Sequence, residues 1–272
     1  MKKLLYKMLL SCMLVILVNQ TGFCKDFRFV QVTDLHLRNN SISVDLFNKI
    51  IDDINNTKNV KFVAFTGDNT DRADNDDYIL FLTMANRLNV PYYVVLGNHD
   101  VFKLGGFSKE DYVNVVRKYN KNQKTKKTDF VIKKGNIVFI VLDGAREVIP
   151  SNGGYYRDDT LAWLDKQLKK YRNKKVVMLQ HFPMKLRHTE RDAYNNERYE
   201  ELLKRHNNVI GIFAGHFHAN EEYEKDGIFY SITGRASGAD AGYKIVDMIE
   251  ERNPKTHKES YGFYTQFIPV NN

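Results

Sequence analysis

Short runs rich in Val, Ile, Phe and Tyr recur along the chain: FRFVQV from Phe27, VKFVAFT from Val60, PYYVVL from Pro91, NIVFIVL from Asn136, VVML from Val176 and VIGIFA from Val209. Each closes on Gly or a polar turn, the pattern of a buried strand. Between the first two runs Phe47, Ile50, Ile51 and Ile54 recur at helical spacing, and between the second and third Tyr78, Phe81, Ala85 and Leu88 do the same. A further apolar stripe, Leu161, Leu164 and Leu168 with Trp163 beside it, predicts a helix near 160–170 ahead of the run at Val176. Strand, helix, strand repetition implies a mainly parallel sheet with right-handed crossovers. The tail segments GIFYSITGRAS and SYGFYTQFIPV alternate as antiparallel strands do. No internal repeat and no Pro- or Ser-rich linker interrupts the chain, so 25–272 is expected to be a single domain.

The first residues break this pattern. Lys2, Lys3 and Lys7 precede Met8–Val18, which is apolar throughout except for Ser11. That order reads as a secretory signal over 1–24, with cleavage expected between Gly22 and Lys25. A spanning helix needs about 20 apolar residues, so an uncleaved anchor is the alternative. Both cysteines, Cys12 and Cys24, lie in or at the edge of this segment, which leaves no disulfide framework for the mature domain. Lipidation of Cys24 is disfavoured by the bulky Phe23 before it. Membrane contact is therefore expected only if the segment is retained or lipidated, and export to the periplasm or medium is the preferred fate.

With 272 residues, 43% hydrophobic and 27% charged, the chain is an ordinary globular protein with enough residues for one large core or two packed sheets. Removing the three leader lysines from the formal charge of +8 leaves +5. A mildly basic domain suits an anionic substrate without requiring nucleic acid. The basic run Arg117, Lys118, Lys121, Lys124, Lys126 and Lys127 lacks interleaved aromatics and reads as a solvated segment, so no nucleic-acid partner is expected.

The candidate chemistry sits where the strands end. Asp34 and His36 follow the first run, Asp68 the second, Asn98 the third, His181 the run at Val176, and His216 and His218 the run at Val209. Ligands of open α/β sheets bind beyond the carboxyl ends of strands, so these residues are expected to converge on one cleft. Any one of them alone is more often a turn former or a hydrogen-bonded surface residue. As a set they differ: five of the eight histidines, His36, His99, His181, His216 and His218, fall at strand ends. Imidazole with carboxylate suits Mn, Fe or Zn rather than calcium or magnesium. Two such ions need a bridging carboxylate, for which Asp68 after Gly67 is the natural candidate. A pair of ions about 3.5 to 4 Å apart lowers the pKa of a shared water and clamps both attacking and leaving oxygens at phosphorus.

Taken in order, Asp34-Leu35-His36, GDNTD at 67–71, GNHD at 97–100, His181 and GHFH at 215–218 resemble the motif series of the calcineurin-like metallophosphoesterases, from about Phe27 to His218. The resemblance implies an α/β fold, a four-layer αββα sandwich of two mixed sheets flanked by helices. It implies one divalent transition-metal ion held by Asp34, His36, Asp68 and His218, and a second held by Asp68, Asn98, His181 and His216. It implies hydrolysis of phosphomonoester or phosphodiester bonds in a small phosphorylated substrate, with His99 as the group that stabilises the transition state or protonates the leaving oxygen. Asp71 falls where some relatives keep a carboxylate that orients this histidine, although Asp in such a loop also caps its own backbone. Asn98 and Arg72 are the implied substrate contacts. Asp71 also occupies the position at which purple acid phosphatases carry their iron-ligating tyrosine, which argues against a purple Fe(III) site. The pattern is closer to the branch that contains the cyclic-nucleotide phosphodiesterases. A non-catalytic scaffold on the same fold, as in a retromer subunit, is the rival expectation.

Two loops are candidates for the substrate pocket: Tyr155, Tyr156 and Arg157 after a Gly pair, and Phe182, Lys185, Arg187 and His188 after His181. The tyrosines could equally cap a sheet edge. His188 and His206 read as surface residues, and Trp163 as helix packing.

Overall fold

A computed structural model of the chain describes residues 27–148, 151–184, 192–252 and 259–270. The predicted leader, Cys24, Lys185, Arg187 and His188 lie outside these residues. Among the described residues eleven strands and five α-helices follow one another as β1 (Phe27–Val32), α1 (Ser41–Asn56), β2 (Val60–Thr66), α2 (Asn75–Ala85), β3 (Tyr92–Val95), α3 (Lys109–Tyr119), β4 (Phe130–Lys134), β5 (Ile137–Leu142), α4 (Asp158–Lys170), β6 (Lys175–Gln180), α5 (Asn196–Lys204), β7 (Val209–Ala214), β8 (Glu221–Lys225), β9 (Ile228–Ile232), β10 (Gly242–Arg252) and β11 (Glu259–Pro269). By contact the chain separates into a large unit, Arg28–Val246 with Thr265 onward, and a small one that includes Asp247–Tyr264. In the small unit the Tyr261 hydroxyl donates to Glu250 Oε1 at 3.0 Å. Among the described residues no helix is long and apolar enough to cross a membrane.

The strands form two mixed sheets, ordered β11-β10-β1-β2-β3 and β4-β5-β6-β7-β9-β8. β1, β2 and β3 are parallel, as are β5, β6, β7 and β9, while β4 and β8 add antiparallel edges. This is the mixed two-sheet fold with flanking helices that the motif series implied. One expectation changes: the GIFYSIT segment is β9, antiparallel to β8 but parallel to β7. The cause is the two-residue turn at Asp226 and Gly227, both at positive φ (54° and 74°), which folds β8 back so that β9 inserts between β8 and β7.

Alternation along the strands decides which residues join the layers. Phe29 of β1 and Phe62 of β2 stack at 5.3 Å and meet Phe139 of β5 edge-on, while Phe29 also meets Phe213 of β7 at 5.2 Å. These four rings, all fully buried, join the two sheets. Phe65, of opposite parity on β2, turns to the helices and packs on Phe47 of α1 and Phe81 of α2. The helices begin where capping residues stand. Asn40 accepts from Ser43 N, Asp74 from Asp76 N and Asp77 N, and Ser108 forms a capping box with Asp111. Helix α2 stops at Ala85, short of the stripe predicted to reach Leu88. There the amides of Arg87 and Leu88 bond three residues back to Met84 and Ala85, tightening the chain out of α geometry while Leu88 remains buried.

Truncating the aromatic joint should be costly. Phe29→Ala is expected to lose about 3 to 5 kcal/mol of stability, read by urea denaturation, because a cavity would open between two sheets that cannot collapse onto it.

Candidate metal centre

The parallel strands place the candidate ligand residues at their carboxyl ends, and the local backbone is unusual there. Asp34, His36, Asp68, His216 and His218 adopt positive φ, from 45° to 72°. Such conformations cost of order 1 kcal/mol or more in non-glycine residues and persist where the surroundings over-determine them. Here neighbouring strand ends lock one another: Asp34 N donates to Gly67 O, His36 N to Asp68 O and Gly215 N to His181 O. Two motif glycines admit side chains from other strand ends, one in the same sheet and one in the opposite sheet. A Cβ on Gly97 would lie 2.2 Å from Asp68 Oδ1, and one on Gly215 would lie 2.5 Å from Asp34 Oδ2.

Among the described residues the side chains gather into three groups, one of them His36, Asp71 and His99, with His36 Nδ1 3.9 Å from Asp71 Oδ1; the other two make up the centre. Asp34, His36 and His218 form one of these two, and Asp68, His181 and His216 the other. Asp34 Oδ2 accepts from the Thr33 hydroxyl at 2.7 Å and from His216 N at 2.9 Å. Its Oδ1 has no hydrogen-bond partner, nor has His36 Nε2, and Oδ1 lies 3.3 Å from His218 Nε2. Asp68 stands between the groups: Oδ1 accepts from His99 N, while Oδ2 lies 3.2 Å from His181 Nε2 and 3.8 Å from His36 Nε2. His181 donates through Nδ1 to Thr66 O at 2.9 Å, and His216 through Nε2 to Asn152 O at 2.5 Å. Both imidazoles therefore turn their remaining nitrogens to one point, where His181 Nε2 lies 3.2 Å from His216 Nδ1 and 3.2 Å from Asn98 Oδ1. Carboxylate, amide carbonyl and two imidazole lone pairs facing one another with no donor among them need a cation or a proton at their centre. The donor set fits a divalent transition ion at each group, with Asp68 placed to bridge.

Titration behaviour follows from this crowding. Burial disfavours a charged His181, but the Asp68 and Asp34 carboxylates and the Thr66 carbonyl overcome it and raise the imidazole to about 9. Burial also disfavours the Asp68 carboxylate, yet His181, His36 and His99 hold it well below the usual range. Burial, together with a charged His181 alongside, lowers His216 to about 4, so that it is neutral at physiological pH. Burial lowers His36 as well.

The structure also places the other predicted residues. His99 projects from the loop after β3, its ring 4.6 Å from that of His36, and donates through Nδ1 to the main-chain carbonyl of Asp71 at 3.0 Å. The expected carboxylate partner is engaged elsewhere: Asp71 is gripped on both oxygens by Arg38, Nε at 3.0 Å and Nη2 at 3.1 Å, a fork that outcompetes a single imidazole. Arg72 pairs with Asp77 at 3.2 Å and lies outside the ligand groups, although it lines a cavity of about 430 Å³ with Asn98 and His99. Tyr156 is buried, its hydroxyl on Phe182 O, while Tyr155 is exposed. His206 pairs with Asp165 at 2.8 Å, away from the centre, and Trp163 lines a separate cavity with Lys109 and Arg117.

Several contributors carried no role in the sequence reading. Asp100, fully buried, accepts from the amides of Asn69, Thr70 and Gly97 and from the Asn69 side chain, which ties the loop after β2 to the loop after β3. Burial and the nearby Asp68 raise its carboxyl to about 6. Its place at the end of GNHD was the available signal. Thr33, Asn152 and Arg38 gave none, because their roles depend on which strand end lies opposite.

Comparison with known proteins agrees with this geometry. The family profile described as Calcineurin-like phosphoesterase matches residues 27–220. The chain belongs to the calcineurin-like phosphoesterase family. It is 32% identical over 203 residues to a probable glycerophosphodiester phosphodiesterase, GpdQ, of Arcobacter nitrofigilis, covering 70% of this chain and 71% of that protein. A probable cyclic nucleotide phosphodiesterase of Moraxella catarrhalis is 25% identical over 198 residues, 71% of each chain. A dimetal phosphatase from Danio rerio superposes with a TM-score of 0.64 at 16% identity, over 86% of this chain and 98% of that one. This calcineurin-like chain is thus a metal-dependent phosphoric ester hydrolase of a dinuclear family.

The charged His181 gives the metal-free protein a definite pH dependence. Its raised pKa stabilises the fold fully below about 6.5, the unfolded value, and that stabilisation is lost as pH rises through about 9. Urea midpoints of metal-stripped protein are expected to fall between pH 7 and 9, and His181→Asn is expected to flatten that slope.

Proposed function

We propose that the chain is an exported phosphodiesterase using two divalent transition ions, Mn, Fe or Zn, on a small phosphorylated substrate. The observation that carries this reading is the convergence of Asp68 Oδ2, Asn98 Oδ1, His181 Nε2 and His216 Nδ1, beside Asp34 Oδ1 and His36 Nε2, which have no hydrogen-bond partner. Asp34, His36, Asp68 and His218 would hold one ion, and Asp68, Asn98, His181 and His216 the other. When bound, such a pair supplies a water deprotonated at neutral pH and positive charge against the phosphoryl oxygens. The chain's own residues do the rest. The carbonyls of Thr66 and Asn152 hold the two imidazoles in the tautomers that leave lone pairs inward. Asp71 O fixes His99 at Nδ1, so a protonated His99 keeps its second proton on Nε2 for the leaving oxygen.

A diester is favoured over a monoester by the space around His99. Two cavities meet at Asp71 and His99. One, of about 570 Å³, lies on the side of His36, Arg38 and His218, and the other, of about 430 Å³, on the side of Arg72, Phe102 and Asn152. Two substituents on phosphorus would each find one. The names of the relatives, a glycerophosphodiester and a cyclic nucleotide phosphodiesterase, point the same way. Export is supported by Lys2, Lys3 and Lys7 ahead of the apolar Met8–Val18.

Protein supplemented with Mn²⁺ is expected to hydrolyse a chromogenic phosphodiester faster than the matching monoester. His99→Ala should lower turnover about a hundredfold or more while retaining bound metal by elemental analysis, and unchanged turnover would remove His99 from the reaction. Mass spectrometry of protein recovered from the producing cells is expected to show a new N-terminus between residues 22 and 26, and an intact Met1 would count against cleavage.

A further inference from the structure

The larger cavity has a wall that the metal chemistry does not explain. Beyond the histidines its lining includes the polar Arg38, Ser43, Asp71, Arg235 and Ser237, with Ile42 and Leu46 of α1 as the apolar part. Both guanidiniums are held from one side only. Arg38 grips Asp71 through Nε and Nη2, and Arg235 grips Asp240 through the same two nitrogens, at 2.8 and 2.5 Å. The Nη1 of each has no protein partner among the described residues.

The segment that carries Arg235 is anchored to the metal-site strand ends. Ala236 N donates to Thr33 O at 2.8 Å, the Ser237 hydroxyl to Asp34 O at 2.8 Å, and Gly242 N to Arg235 O at 3.1 Å. Gly238, at φ 77°, lies against the guanidinium, and a Cβ there would come within 3.1 Å of Arg235 Cζ and Nη2. Arg235 thus stands beside the candidate centre on an anchored main chain, its partly exposed guanidinium paired with Asp240.

The charge balance says what it would meet. Each arginine is neutralised by its own carboxylate, and Asp71 itself lines the cavity with oxygens that retain spare lone pairs. A second anionic group on the substrate would face that carboxylate. A hydroxyl, which donates and accepts at once, matches a guanidinium edge set beside a carboxylate. We infer that Arg235 and the Arg38–Asp71 pair form a specificity subsite that selects a phosphodiester arm bearing uncharged hydroxyls over alkyl or anionic arms. This rests on the phosphodiesterase reading and assigns which side of the centre discriminates and with which residues. The opposite cavity, with Val101 and Phe102, would take the second substituent.

The test holds the leaving group constant and varies the arm. Diesters with one p-nitrophenyl group and an ethyl, glyceryl, nucleoside or carboxyalkyl arm are compared on the metal-supplemented full chain. The expected result is a kcat/KM about tenfold higher for a hydroxylated arm than for the ethyl or carboxyalkyl arm, the scale of one hydrogen bond to a charged group. Whether the glyceryl or the nucleoside arm leads names the source of the hydroxyls. Arg235→Met is expected to lose about tenfold more on the hydroxylated arm than on ethyl, and Gly238→Ala to lose in the same direction by displacing the guanidinium. Asp240→Asn, which keeps the arginine and frees its held edge, replaces Arg235→Met if thermal melts show that variant unfolded. Calorimetric titration with glycerol phosphate against ethyl phosphate should show the same selective loss in binding.

Equal rates for all arms in the wild type, a preference for the carboxyalkyl arm, or an equal loss on every arm in Arg235→Met would overturn the subsite while leaving the phosphodiesterase reading intact. No cleavage of any diester with Mn²⁺, Zn²⁺ or Fe²⁺ would overturn both.

Discussion

Lone pairs with no donors to meet them organise this molecule. At the carboxyl ends of β1, β2, β3, β6 and β7, carboxylate, amide and imidazole acceptors are pressed to within 3.2 to 3.8 Å of one another, most of them buried. Left alone, such a cluster repels itself. Without metal it is relieved by a proton on His181, and with metal the donor set is matched by divalent ions. The layers around it can be understood as what keeps those acceptors from moving apart.

That restraint is built at three scales. The aromatic joint of Phe29, Phe62, Phe139 and Phe213 keeps the ends of two different sheets at one place. A polar layer adds to it, with Gln31 spanning from the Thr66 hydroxyl to Ala214 O and accepting from Thr233. Next to the centre, Asp100 gathers the amides of two loops on one buried carboxylate. Finally, hydrogen bonds between strand ends fasten Asp34, His36, Asp68 and His216, four of the five residues held in the left-handed region. The strain sits in the candidate metal ligands, where pre-organisation is worth more than local comfort.

The same framework separates reaction from selection. The acceptors that suit metal, and His99, for which we propose the role of acid to the leaving oxygen, come from the sheet ends. The other residues around the two flanking cavities come from loops, including the segment that carries Arg235, and from the start of α1. Charge is handled differently in the two places: acceptors at the centre are unpaired, whereas Arg38, Arg72 and Arg235 each already hold a carboxylate. A wall made of such pairs recognises shape and hydroxyl position more than net charge.

By itself the sequence determined the strand–helix alternation, because period-two and period-three-to-four patterns are local, and it determined the family motifs and their candidate ligand types, because their order along the chain survives folding. Phe47, Ile50, Ile51 and Ile54 and the motifs from Asp34 to His218 were legible for that reason. Partners across space were not. Asp71 turned its carboxylate to Arg38 and only its carbonyl to His99, since a bidentate guanidinium two residues beyond His36 is the stronger competitor. β9 joined β7 in parallel because a left-handed turn at Asp226 and Gly227 reversed the chain first. Asn152 reached His216, and Ser237 reached Asp34, across separations that no local pattern encodes. Tertiary structure alone decided these pairings, because a hydrogen bond depends on which atoms come within about 3 Å and not on how many residues lie between them.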